Sequence, residues 1–382
     1  MMLLNELSKK LTDKFNLETC LYPLDENIDC HTYDFQSDIS FHYYDEKELF
    51  KLSFDGTKFD CGEKENQNFR YAIFAPAQNR KFSEAIILLH GLNERNWGKY
   101  LPWAHYLASQ TQKPVILFPI AYHMNRSPKT WICPRLMNKF SSFRKTTIPG
   151  IENSTFANAA LSLRMDKHPY LFSMSGIQTY FDVIKLTSAI KNGHFEIFAN
   201  NCHVNFFAYS IGALLTKILL ISNPLQLFPD SKAFFFCGGS TFDKINGNSR
   251  AIMDNQAFAN LRNHMLNNTD SFEKQIEIPE QHSHLLKDGW NALLAMSGIK
   301  SHIKDREYAL NNLINRIKAI GLKDDFVVPG SAIKETFFDV DVMDFPFKYS
   351  HETPFPINDN RVIETVTQTF NLVFNRASLF LA

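Results

Sequence analysis

Residues 203–222 read HVNFFAYSIGALLTKILLIS, and no other stretch narrows the folding choices as sharply. Val204, Phe206 and Phe207 favour extended backbone, whereas Gly212, Ala213, Leu214, Leu215, Ile218 and Leu219 carry helical spacing. A strand therefore runs directly into a helix, with Ser210 at the junction. Such a turn crowds the backbone, so the positions two before and two after its apex must be small, and Ala208 and Gly212 meet that demand. The turn lifts the serine oxygen above the sheet edge, where a histidine can reach it, and the helix behind it aims N-terminal amides at developing negative charge. Taken alone, the five residues fit core packing as well as they fit a nucleophile, and the surrounding chain must decide.

That surrounding chain alternates strands and helices. After FRYAIFAPA and a turn-like QNRKFSE, the run AIILLHG is a continuous apolar strand ending in His90-Gly91, followed by a helix through Trp103 and Leu107. Further strands are expected at 114–120, at KAFFFCGGS, at Arg316–Gly321 and at FFDVDVMDF, with helices at Ile177–Ile190 and Val362–Phe374. Apolar strands separated by helices indicate a mostly parallel sheet covered on both faces. Two segments, about 121–175 and 241–305, are too long for ordinary strand-to-helix loops. Inserted between strands of such a sheet, they read as a helical cap. Residues 1–67 are expected to form an N-terminal extension, 68–382 the main domain. In the extension, Leu3, Leu4, Leu7, Leu11 and Phe15 share one helix face, and a strand pair is expected around FHYYDEKELFKLSF, as a hairpin or an edge of the main sheet.

Composition removes several function classes. Lys+Arg and Asp+Glu both number 40, so the formal net charge is zero and there is no electrostatic footprint for nucleic acid. The six cysteines are scattered without a CxxC or a His-rich partner, which indicates neither a disulfide framework nor a zinc site. His282 and His284 lack a partner cluster, and the reading invokes no metal and no cofactor. The longest apolar run is interrupted by Asn205, Ser210 and Lys217, so no membrane span is expected. The N-terminus lacks the apolar core and cleavage site of a secretory signal, and a soluble, cytoplasmic protein is expected. Oligomeric state is not legible.

The order of these features, strand-HG-loop, strand, elbow serine, strand-GG, strand-GxxD, strand-loop-His, resembles the α/β-hydrolase superfamily over roughly residues 68–376. The resemblance implies an α/β-hydrolase fold and a nucleophile, acid, histidine order along the chain. Ser210 would then be the nucleophile and His351, in KYSHETPFP, the base. The family's GxxD spacing in GLKDDFVVP favours Asp324 as the acid, with Asp325 as a neighbour or turn residue. Asp243, Asp339, Asp341 and Asp344 also compete for that role, although solvated carboxylates are the simpler reading of each. The resemblance further implies an oxyanion hole from the amides of Ile211 and Leu92, with His90 a structural hydrogen-bonder that shapes its loop.

Residues after the strand at 114–120 lie at the sheet end where open α/β folds place ligands. Of these, Arg126 is a candidate to hold a substrate carboxylate bidentately, with an ion pair fixing the cap loop as the alternative. His123 and Trp97 are candidate walls of the substrate site, with loop hydrogen bonding and packing as their alternatives. The chemistry implied is hydrolysis of a carboxylic ester or related acyl bond of a small-molecule substrate through an acyl-enzyme. Acyl transfer or peptide cleavage on the same three residues, and non-catalytic binding by a hydrolase-like fold, are the competing readings.

Overall fold

Strand β4 (Phe82–Leu89) shows how the sheet divides the core. Its Ala85, Ile87 and Leu89 belong to one buried apolar cluster, and Ile86 and Leu88 to a second on the opposite face. A strand buried on both faces can afford no polar alternation, which is why AIILL reads as an unbroken apolar run. Residues 2–39, 63–77, 81–267, 278–337 and 339–382 are described by this computed structural model.

Nine strands form one sheet in the order β1-β2-β3-β5-β4-β6-β7-β8-β9. These are β1 (Leu21–Pro23), β2 (Ile28–Gln36), β3 (Asn68–Pro76), β4, β5 (Val115–Leu117), β6 (Phe198–Tyr209), β7 (Ala233–Phe236), β8 (Ile317–Leu322) and β9 (Val340–Met343). From β5 to β9 all neighbours are parallel, whereas β1, β2 and β3 pair antiparallel, β3 against β5 included. The order reverses at β4, whose neighbours are the strand that follows it and β6. A crevice opens at such a switch point. This is the α/β-hydrolase fold, with one extra strand, β1, at the antiparallel edge.

One face is covered by helices Leu4–Lys14, Leu101–Thr111 and Ile363–Leu381, which pack on one another. The other carries Tyr170–Lys191, Ile211–Ser222 and Ser283–Ser297. The expected N-terminal helix is therefore part of the main body, its first amide donating to Thr367 Oγ1 at 3.0 Å. The expected strand pair at 41–54 lies outside the described residues. Strands β1 and β2 stand before it, and β2 runs beside β3 over nine residues, from Ile28 opposite Pro76 to Gln36 opposite Asn68. Sequence reading missed them because IDCHTYDFQ buries alternate positions that include Cys30 and Thr32, which carry little apolar signal.

The first long excursion contains helices Pro134–Thr147 and Ala159–Lys167, and the second contains Asn255–Asn267, which packs against Ala159–Lys167. A buried arginine fastens them together. Arg144 reaches Asp254 of the second excursion through Nε at 2.7 Å and Nη2 at 2.9 Å, and Asp166 of the first through Nη1 at 2.9 Å. Among the described residues no helix is long and apolar enough to cross a membrane.

Candidate active site

Strand β6 ends at Tyr209 and the helix Ile211–Ser222 begins one residue after Ser210, as the apolar pattern requires. Ser210 itself sits at φ 54°, ψ −119°, a backbone region that costs a non-glycine residue energy and that clusters at functional sites. The expected smallness of the flanking positions has a direct cause. A Cβ on Gly212 would lie 2.6 Å from the Leu89 carbonyl oxygen and 2.9 Å from that of His90. One on Gly238, after β7, would lie within 2.9 Å of the Ser210 backbone nitrogen and oxygen. The serine turn is thus pressed between two neighbouring strand ends.

His351 bridges Ser210 and a carboxylate. Its Nε2 is 2.7 Å from Ser210 Oγ and its Nδ1 is 2.7 Å from Asp325 Oδ2. All three side chains are buried, with 7, 4 and 3 % of Ser210, His351 and Asp325 exposed. The carboxylate that faces His351 is that of Asp325, whereas the GxxD spacing favours Asp324. Asp325 turns inward because its Oδ1 accepts the amides of Val327 and Val328, both at 2.9 Å, which caps the turn after β8. Asp324 is exposed, and its backbone amide donates to Tyr349 Oη at 3.1 Å. Both oxygens of Asp325 therefore act as acceptors. That assigns the imidazole proton to Nδ1 and leaves the Nε2 lone pair for the serine hydroxyl.

Other residues hold this arrangement, and no sequence pattern pointed to them. Tyr209 donates its hydroxyl to the His351 carbonyl, and its ring lies 5.4 Å from the imidazole at 24°. Glu352 accepts from Ser249 Oγ at 2.6 Å, tying the histidine loop to the second excursion. Cys237, at the end of β7, keeps its thiol pushed well up, first by burial and then by the charge of Asp325, so it serves as a neutral neighbour of the carboxylate.

The loop after β4 is shaped as expected. His90 donates from Nδ1 to the Gly91 carbonyl at 2.8 Å and accepts the Ile120 amide on Nε2 at 2.9 Å. With both nitrogens engaged in the neutral form, and burial pulling its pKa down to about 3, it takes no part in proton transfer. The Gly91 amide is occupied by Tyr100 Oη at 2.9 Å. Among the described residues no hydrogen bond occupies the Leu92 amide, and Ile211, as the first helical residue, has no partner within its helix.

Leu92 and Ile211 both line an apolar cavity of about 70 Å³, whose walls include Ile120, Tyr180, Leu214 and Trp290. His123 lines it as well. Its Nδ1 donates to the Ala121 carbonyl at 2.8 Å, and its buried Nε2 has no partner among the described residues. Burial holds its pKa well below the ordinary value, with the charges of His90, Arg95 and Arg164 acting in the same direction. The other two candidate substrate-site residues, Trp97 and Arg126, do not line this cavity. Trp97 is packed edge-on against His90, with ring centroids 5.7 Å apart, and its Nε1 donates to Asn125 Oδ1 at 3.2 Å. Arg126 is fully buried, paired with Asp182 at 2.9 Å and bonded to the Asn66 and Pro119 carbonyls. It fixes the segment after β5 against the helix Tyr170–Lys191, and each of its three nitrogens already donates within the protein.

A family model described as "Family of unknown function (DUF6051)" matches residues 8–382. No curated protein matches the sequence. Solved structures similar to this chain include a thermostable esterase from Pseudomonas putida, at 8 % identity and TM-score 0.41, covering 98 % of this chain and 86 % of that one. A hyperthermophilic esterase from Pyrobaculum calidifontis matches at 9 % identity and TM-score 0.43, covering 98 and 89 %. Carboxyl esterase 2 from Tuber melanosporum matches at 10 % identity and TM-score 0.40, covering 82 and 83 %.

Proposed function

The chain belongs to this family of unknown function, DUF6051, and we propose that it is a serine hydrolase that cleaves a carboxylic ester or related acyl bond of a small molecule through an acyl-enzyme on Ser210. The observation that carries the reading is the imidazole of His351 held 2.7 Å from a hydroxyl on one side and 2.7 Å from a buried carboxylate on the other.

In the first half-reaction, Ser210 Oγ attacks the carbonyl carbon while His351 Nε2 takes its proton. The imidazolium that forms is stabilised by Asp325, which also keeps Nδ1 protonated throughout. Negative charge on the carbonyl oxygen is met by the amides of Ile211 and Leu92, the first reinforced by the dipole of its helix. Collapse of the tetrahedral intermediate expels the alcohol, which takes the proton from Nε2. Water then repeats the sequence on the acyl-enzyme, with His351 as base, and releases the acid and the free serine. The apolar cavity beside Leu92 and Ile211 suits a short acyl group. At about 70 Å³ it is well below the roughly 150 Å³ that admits benzene.

Replacing Ser210 by alanine removes the attacking oxygen and nothing from the core. Hydrolysis of 4-nitrophenyl butyrate and covalent labelling by a fluorophosphonate are expected to disappear together, with the melting temperature unchanged. Persistence of either reaction in folded Ser210→Ala would overturn the assignment.

A further inference from the structure

Arg126, the cation that the sequence offers for a substrate's acidic group, is already paired with Asp182, whereas two arginines nearby form no salt bridge among the described residues. Arg164, on the helix Ala159–Lys167, is 4 % exposed, and its Nη2 is buried without a partner among the described residues. Its guanidinium lies over the ring of Tyr122 at 4.1 Å and over that of Trp131 at 5.0 Å. Arg95, three residues beyond Leu92, covers the same Trp131 ring at 5.0 Å, and its Nε is likewise buried and unpartnered. Two of its other nitrogens are used to hold it in place, Nη1 on the Tyr122 carbonyl at 3.2 Å and Nη2 on Asn93 Oδ1. Of the carboxylates nearest in sequence, Asp166 takes Arg144 and Asn260, and Glu94 Oε1 takes Lys99 and the Tyr100 hydroxyl, so the Glu94 charge acts on Arg95 without a salt bridge between them.

Like charges brought together out of water repel, and each loses hydration that nothing replaces. The effect is visible at Arg95, whose pKa falls to about 9, mainly from burial and next from the charge of Arg164. Stacking on Trp131 and Tyr122 offsets part of the cost but leaves donors unused. A planar guanidinium with free N–H groups is built to receive an oxyanion, and the pair adjoins Tyr122, the residue before the cavity-lining His123.

We propose that Arg164 and Arg95 form an anion-binding site, over the Trp131 ring, for a carboxylate or phosphate group. Resting on the hydrolase reading, the source of that group is the substrate itself: an ester that carries a second, anionic function. A free anion occupying the same two arginines is the other source of this chemistry, and the experiment separates them.

Inorganic phosphate and adipate are titrated into the full-length protein by calorimetry. In parallel, kcat/KM is compared for mono-4-nitrophenyl adipate and 4-nitrophenyl hexanoate, which match in length and differ in charge. Wild type is expected to bind at least one anion and to prefer the charged ester. In Arg164→Gln, anion affinity and the charged-to-neutral ratio of kcat/KM should both fall at least tenfold. Arg164→Lys keeps the charge without the fork and should lose part of each. Should Arg164→Gln not fold, Arg164→Lys and Arg95→Gln carry the same comparison. Anion binding that depends on Arg164, without a preference for the charged ester, assigns the site to a free anion. Anion binding in a protein that turns over neither ester sustains the site and removes the hydrolase reading. Hydrolysis of both esters with no preference, and no anion binding, overturns the inference.

Discussion

Replacing Asp325 by asparagine keeps the side chain's shape and removes one property, the ability to accept from His351 on Oδ2. The amide oxygen can still take the Val327 and Val328 N–H groups that Oδ1 takes at 2.9 Å, so the turn should hold. The amide nitrogen then faces Nδ1, now 2.7 Å from Oδ2, and as a donor it requires Nδ1 to be the lone-pair nitrogen. The proton moves to Nε2, which points at Ser210 and can no longer deprotonate it. In a serine protease the same exchange lowers turnover by about 10⁴-fold, equivalent to about 5.4 kcal/mol of barrier at about 1.36 kcal/mol per tenfold. Asp324→Asn, one residue away on an exposed side chain, should leave kcat/KM within about twofold, as surface changes away from special features do. The assay is steady-state hydrolysis of 4-nitrophenyl butyrate by both variants, with thermal melts to verify folding. A folded Asp325→Asn that loses less than tenfold, or an Asp324→Asn that loses more than a hundredfold, would refute the assignment of the acid.

Three further perturbations test the supports of the site. Gly212→Ala sets a methyl 2.6 Å from a backbone oxygen and should destabilise by about 3 kcal/mol or more, since overpacking already costs about 1–3 kcal/mol where side chains can yield; equilibrium unfolding in urea measures it. Arg126→Met leaves Asp182 buried without its partner and should cost about 3–5 kcal/mol in the same experiment, whereas a substrate-binding role would raise KM without that loss. Lys217, fully buried with Nζ on the carbonyls of Gly239 and Ser240, has its pKa lowered to about 7 by burial first and by Arg306 second. The unfolded chain therefore binds more protons between about pH 7 and the ordinary lysine range, so stability should rise with pH across that window. The unfolding free energy of Lys217→Met subtracted from that of wild type isolates the trend, and a difference that is flat or falls from pH 7 to 10 contradicts it.

Much of the architecture was legible because it follows from near neighbours. The unbroken apolar runs at β4 and β7 announce strands covered on both faces, and the change of period at Ser210 announces a strand running into a helix. The small residues at 208 and 212 are required by the turn itself. His351 was singled out by the α/β-hydrolase resemblance, which implies a histidine in the loop after the last strand. What stayed hidden was carried by residues with weak or ambiguous pattern. Strand β2 reads as polar because its buried positions include Cys30 and Thr32, and nothing in the serine motif marks Tyr209, whose hydroxyl anchors the His351 carbonyl.

The sequence by itself determined the mostly parallel sheet and the serine at a strand-to-helix junction, because both depend on backbone preferences and apolar periodicity within a few residues, whereas His351 was reached only through the family resemblance. Tertiary structure alone decided which member of the Asp324-Asp325 pair faces the imidazole, and which arginines form no salt bridge among the described residues. Adjacent carboxylates have the same chemistry and differ only in direction, which the two amides beyond Asp325 select. Arg126 and Arg164 are equally cationic in sequence, and only the packing of one against Asp182 and of the other against aromatic rings separates a neutralised charge from an open one.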